Sequence, residues 1–298
     1  MNKQNKKRSK IPTLLFIFFF LVGLSVMLYP TLSNYINTKH QSYAIARYDE
    51  IMNNLSDGES KRIFEEARSY NSRLMNLASP LANYAQADGY LKALDVTGTG
   101  IMGYISIPQI NVQLPVYHGT GEDVLNIAAG HLEGSTLPIG GKSTHAVISA
   151  HRGLPSAKLF SDLDQLTEGD TFTITVLNQV LTYQIDKISV VVPSETENLQ
   201  IINDEDCVTL LTCTPYGVNT HRLLVRGKRT DNETAADTVR VSSDAVQIDP
   251  VIAASVAVVP MLVIFLVIMM IWNTTGTSET GCSKQNTQRK AVKKDDEK

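Results

Sequence analysis

Cysteine is scarce in this sequence, three in 298 residues. That is too few for a disulfide scaffold, and no Cys-x-x-Cys pair occurs, which opposes a thiol-redox protein. Also missing are a Cys/His spacing of the zinc type, a glycine loop that would cradle phosphate, and any internal repeat. Nothing therefore asks for a metal, a cofactor or nucleic acid. Charge of one sign is lacking too: the net value of −3 carries little information about partners. The length is sufficient for one or two domains with a real core.

Long apolar runs are present. Residues Ile11 to Tyr29 and Val251 to Trp272 are nearly uncharged, and at ~1.5 Å per residue each is long enough to cross a ~30 Å hydrocarbon layer. The first follows a basic start (Lys3, Lys6, Lys7, Arg8, Lys10) but exceeds the usual ~7–15 residues of a signal peptide and lacks a small-x-small cleavage site, so it reads as an uncleaved anchor. Lys284, Arg289, Lys290, Lys293 and Lys294 follow the second run. Positive charge at both ends places residues 1–10 and 273–298 in the cytoplasm and about Thr31 to Asp249 on the outer face of the cell membrane.

Between the anchors, Ala44, Ile45, Tyr48, Ile51, Met52 and Leu55 recur at helical spacing. A Ser56-x-x-Glu59 capping box then opens a second stripe of Ile63, Phe64, Ala67, Tyr70, Asn71 and Leu74. This pair is either a stalk or a layer packed on the domain that follows, with residues 31–97 as the helical region and Ser79-Pro80-Leu81 breaking its pattern. From Ile101 the period shortens. Strands are expected over Ile101–Ile107, Val112–Tyr117, Ala146–Ala150, Thr171–Val176, Leu181–Val192, Val208–Cys213 and Arg222–Arg226, with a short helix within Gly121–Ala129 and loops over Asp95–Gly100 and Gly130–Gly141. Many short strands with turn signals argue a mainly β domain, a barrel or a sandwich, over 98–230, joined by a linker at 231–250 to the second apolar run.

Chemistry concentrates in one hairpin. An apolar strand ends at Cys213, Pro215 and Gly217 turn the chain, and the returning strand begins at Arg222, so the guanidinium is the cation expected beside the thiol. Cys207 and Cys213 on one extended strand would be roughly 20 Å apart, beyond disulfide reach, which leaves Cys213 a free thiol. Cys207, among apolar neighbours, reads as buried and inert. A thiol nucleophile needs a proton partner. His40, His118 and His131 carry no local mark, and His221 points to the face opposite its neighbour Arg222. His145 and His151 share a face by strand parity. His151, at the strand's C-terminal end, is favoured over His145 because substrates reach strand ends.

Ser149-Ala-His-Arg-Gly-Leu-Pro-Ser-Ala-Lys-Leu-Phe160, Thr209-Leu-Leu-Thr-Cys-Thr-Pro-Tyr216 and Asn219-Thr-His-Arg-Leu-Leu-Val-Arg226 resemble the pilus-assembling class C sortases. Gly103-Tyr-Ile-Ser-Ile-Pro108 and Gly130-His-Leu-Glu-Gly-Ser-Thr-Leu-Pro-Ile-Gly140 resemble them as well, and so does a second, C-terminal membrane helix. The resemblance implies an eight-stranded sortase barrel with N-terminal helices. It implies Cys213 as nucleophile, His151 as acid/base and Arg222 as oxyanion or substrate clamp, acting on an LPxTG-like sorting signal and passing the acyl group to an amine, a pilin lysine foremost. Attachment to cell-wall peptide is the alternative acceptor; a thiol-redox protein or a non-catalytic barrel are alternatives of other classes. Class C sortases often carry an Asp-Pro-aromatic lid. Ser79, Pro80 and Leu81 stand in its place without carboxylate or ring, and are expected not to shut the site strongly.

Overall fold

The computed structural model describes residues 11–230. The second apolar run, the linker before it and both basic termini lie outside the described residues. The described chain falls into two units, an apolar helical start up to Leu28 and a body from Tyr29 onward.

Helix α1 runs over Ile11–Asn54, longer than the expected anchor. Pro30 sits inside it. Proline removes one backbone donor, but Thr31 to Asn54 contains no glycine and no further proline to end the helix. Its first part is the one stretch among the described residues that is long and apolar enough to cross a membrane, with mean hydropathy 2.2. Its last part is amphipathic and packs on the body: Ile45, Tyr48 and Met52 are buried at helical spacing. The Tyr48 hydroxyl donates to Met102 O (3.1 Å) and accepts from Leu177 N (2.8 Å), pinning the helix to two strand ends.

Helix α2, Asp57–Met75, starts at the expected cap: Glu59 N donates to Ser56 Oγ, which donates in turn to the Glu59 carboxylate. Its stripe is a packing face. Ala67, Tyr70, Asn71 and Leu74 are buried, and the Asn71 amide exchanges two hydrogen bonds with the backbone of Leu137 (2.7 and 3.2 Å). The helical pair is therefore a layer on the domain. Helix α3, Pro80–Asn83, is a single turn, and α4, Glu122–Leu125, fills the short helix expected within 121–129.

Eight strands close a barrel: β1 Ile101–Ile107, β2 Val112–His118, β3 Ala129–His131, β4 Thr144–Ser149, β5 Thr171–Val176, β6 Gln179–Val191, β7 Asp206–Thr214 and β8 His221–Arg229. Their order around the barrel is β1-β2-β3-β4-β7-β8-β6-β5. The sheet is mixed, with β2–β3 and β4–β7 parallel and the other pairs antiparallel. Closure rules out the sandwich and leaves no open edge. Strand β3, three residues long, was expected to be loop, since no alternation can show in so short a run.

Alternation sorts the side chains of β4, β7 and β8 onto two faces. Ala146, Ile148, Val208, Leu210, Leu223 and Val225 fill the main core. Val147 and Leu224, of the opposite parity, form a second apolar cluster with Val191 and Leu199, and Leu81, Leu132 and Leu211 pack onto it. That second cluster is the floor on which the site stands.

Candidate active site

Register brings the sequence-predicted residues together. In the antiparallel pair of β7 and β8, Cys213 lies directly opposite Arg222, and directly opposite residues share a face. On the other flank β4 runs parallel to β7, pairing Thr144 with Asp206 through to Ser149 with Leu211. The pairing continues beyond the strand: Ala150 N donates to Leu211 O (3.1 Å), and the Thr212 hydroxyl donates to Ala150 O (2.8 Å). One more residue at the same offset sets His151 level with Cys213. Thiol and guanidinium thus stand side by side on β7 and β8, and the extended register brings the imidazole, two residues beyond the end of β4, into the same row, with the parity of Val147, Leu211 and Leu224, on the outer face of the barrel. All three are half-buried.

Local bonds hold each member. His151 O accepts from Phe160 N (3.1 Å), which ties the chain after β4 back on itself. Arg222 Nη1 donates to Asn219 O (3.2 Å) and His221 O (3.1 Å). Among the described residues its other guanidinium nitrogens take no partner, so they remain as donors for an anion. The strand carrying Cys213 ends at a cis Thr214–Pro215 peptide, after which the chain turns toward β8.

The other histidines lie in different surroundings. His145 is fully buried and level with Cys207, at the far end of β4. Its Nδ1 donates to Gln200 O (2.7 Å) and its Nε2 accepts from the Thr209 hydroxyl (2.7 Å), a neutral tautomer with both nitrogens satisfied. Burial holds its pKa below the usual histidine range. His131 is buried between Thr136 O (2.8 Å) and the Tyr90 hydroxyl (3.0 Å), and desolvation lowers it to about 4. His118 contacts Gly100 O and Ala93 O through its two ring nitrogens. His221 pairs opposite Thr214, on the other face, and His40 is an exposed residue of α1.

Cys207 and Cys213 are both free thiols on β7. Cys207 is sealed at 1% exposure, and burial pushes its thiol up to about 12. A buried, protonated sulfur is a poor nucleophile, whereas Cys213 retains access to solvent. Among the described residues no group of three or more His, Cys, Asp or Glu comes together as a metal site.

The segment Ser79, Pro80 and Leu81 reaches the same floor. Leu81 packs against the cluster of Val147 and Leu224. The seat depends on Gly134, whose φ of +90° is unfavourable for other residues; a Cβ there would lie 2.7 Å from Leu81 Cα and 2.9 Å from Pro80 O.

A sequence profile described as "Sortase domain" matches residues 105–230, which include the whole row. The crystal structure of sortase C1 from Streptococcus agalactiae is 48% identical to this chain, with a TM-score of 0.59, covering 64% of this chain and 99% of that one. This chain belongs to the sortase family. Its structural neighbours include a sortase C from Clostridium perfringens solved with the C-terminal cell wall sorting motif (43% identity, TM-score 0.56, 64% of this chain and 99% of that one). A curated relative, "Sortase A" of S. agalactiae, is 32% identical over 131 residues, 43% of this chain; this sortase spans about half, 52%, of that relative's length.

Thr212 escaped the reading of this sortase's sequence. Its signal was there: Val208 and Leu210 alternate into the core, and Thr212 puts a hydroxyl at the next inward position.

Proposed function

We propose that this sortase is a membrane-anchored cysteine transpeptidase in which Cys213 is the nucleophile, His151 the acid/base and Arg222 the oxyanion clamp. The observation that carries the reading is the single row of these three groups, just beyond β4 and on β7 and β8. In the first step the Cys213 thiolate adds to the Thr–Gly carbonyl of an LPxTG-like sorting peptide, and the oxyanion is stabilised by the free donors of Arg222. Collapse breaks the C–N bond as protonated His151 gives its proton to the departing glycine amine, leaving a thioester on Cys213. In the second step an amine attacks the thioester, loses its proton to His151 and frees the thiolate. An amine acceptor rather than water requires that water be kept from the thioester until the amine arrives.

The sortase C from Clostridium perfringens solved with the C-terminal cell wall sorting motif supports a sorting signal as substrate, and the pilin lysine as acceptor follows from the resemblance to class C sortases. Anchoring is supported by the apolar start of α1. In this reading residues 11–29 and 251–272 span the cell membrane, both termini are cytoplasmic, and the barrel of 98–230 works on the outer face, on the same surface as its substrates.

The test uses the full chain in detergent micelles with a sorting peptide and a primary amine. Cleavage with formation of the amine adduct is expected in the wild type and in Cys207→Ala, and none in Cys213→Ala. Turnover that survives Cys213→Ala would overturn the assignment. Competition between a pilin lysine peptide and a cell-wall peptide as acceptor separates the two amines.

A further inference from the structure

Arg152 follows the proposed acid/base directly, yet its side chain turns inward and is only 9% exposed. The guanidinium forms an ion pair through Nη2 with Asp164, in the turn Leu163–Gln165 of the β4–β5 connection. Its face lies over the ring of Tyr216, with Cζ 5.8 Å from the centroid. Tyr216 belongs to the β7–β8 turn, three residues beyond Cys213, and the same ring covers Gly153, where a Cβ would meet it at 3.2 Å. Gly153 N in turn donates to Ser161 Oγ (3.2 Å). Arg152 Nε is buried with no hydrogen-bond partner among the described residues.

These contacts join the two segments that carry the row. One is the chain leaving β4, with His151; the other is the turn leaving β7, with Cys213 at its base and Arg222 at its far end. Strand β4 stops at Ser149, so no ladder bond fixes His151 laterally. A surface ion pair of two flexible chains would order little; here Asp164 and Tyr216 are themselves exposed, but the guanidinium between them is desolvated and planar and is met from two sides, by a carboxylate and by a ring. An unmet buried donor is a cost that an apolar side chain at the same place would not carry.

We infer that Arg152 is a positioning residue: through Asp164 and Tyr216 it braces the His151 segment against the turn after Cys213 and so holds imidazole and thiol in register. The inference rests on the proposed roles of His151 and Cys213. Asp164 and Tyr216 are the ionisable groups paired with the brace.

Two readouts on the full chain in micelles test it. The first is the pH dependence of Cys213 alkylation by iodoacetamide, followed by mass spectrometry of the Cys213 peptide; the second is peptide turnover. In Arg152→Ala the alkylation profile is expected to move toward that of His151→Ala, because the segment carrying the imidazole has lost its brace. Turnover should lose about tenfold to a hundredfold in kcat with KM changed less than about threefold. Asp164→Asn should shift both in the same direction by less, and Arg152→Lys, which keeps the ion pair but not the planar face, should recover part of the loss. Wild-type profiles in both Arg152→Ala and Asp164→Asn would overturn the brace. If Arg152→Ala does not fold, Asp164→Asn decides. A wild type that shows the His151-dependent profile but no peptide turnover would sink the transpeptidase reading and leave the brace standing. Coincident profiles for wild type and His151→Ala would end the brace with the pairing it serves.

Discussion

Replacing Thr212 by valine removes one oxygen from a side chain of nearly unchanged shape, and it does so one residue before the proposed nucleophile, Cys213. The Thr212 hydroxyl is the donor to Ala150 O, and both residues are buried. The carbonyl would lose its bond with no water to replace it, at a cost of about 1–2 kcal/mol. For a domain of this size that is a fall of about 2–8 °C in Tm. The larger consequence is local, since Ala150 is the last residue registered on β7 before His151. A shift of a fraction of an ångström there is expected to lower kcat about tenfold. Thr209→Val is the control. It strips His145 Nε2 of its donor at the far end of β4, a similar buried loss with no route to the row. Thermal unfolding and turnover of the sorting peptide should show comparable destabilisation in both variants, a kcat defect in Thr212→Val alone, and recovery in Thr212→Ser. Equal activity of the two valine variants would refute the argument that this bond sets the register of the site.

Acid should weaken the fold before it removes any ion pair. His131 is held neutral at about 4 and His145 is lowered in the same direction. The unfolded chain takes up these protons near pH 6.5 and the folded chain does not, so stability is fully present above about pH 6.5 and is lost as pH falls toward 4. The loss reaches about 1.4 kcal/mol per pH unit for His131, with His145 adding in the same direction, and a Tm that stays flat over that window would contradict it. Leu81→Ser should lift the α3 segment from its apolar floor. Displacing one partly buried leucine is worth about 1 kcal/mol, so peptide turnover at low substrate should rise no more than about fivefold, whereas a gain of a hundredfold would mean that this segment bolts the site. Tyr48→Phe leaves Leu177 N without its acceptor and should cost about 1–3 kcal/mol, read as a lower Tm with unchanged KM.

The capping box at Ser56 and the apolar stripe of α2 were legible because both are local: a hydroxyl three residues from its donor and a face repeating every turn. The strands from Thr171 to Val176 and around Cys213 were legible for the same reason, through β-branched residues bounded by turns. The pairing of Cys213 with Arg222 belongs here too, since a short hairpin leaves few registers open. Strand β3 and the continuation of α1 through Pro30 were not legible. Three residues cannot show a period, and one proline is overruled when the following helix has a packing face of its own.

What the sequence by itself determined, then, was chemistry and local form: a lone accessible thiol at a strand end, a cation across a tight turn, an apolar helix at the start of the chain. Only the tertiary structure separated the surroundings of His145, in β4, from those of His151, just beyond it. They share a parity, and nothing along the chain says which end of that strand lies beside the sulfur. A parallel pairing between strands more than fifty residues apart places His145 beside Cys207 in the interior; carried past Ser149 at the same offset, it sets His151 level with Cys213, which is the placement the proposed acid/base needs. The same long-range packing set the surroundings of Arg152, because Asp164 and Tyr216 reach it from separate loops that nothing along the chain brings together.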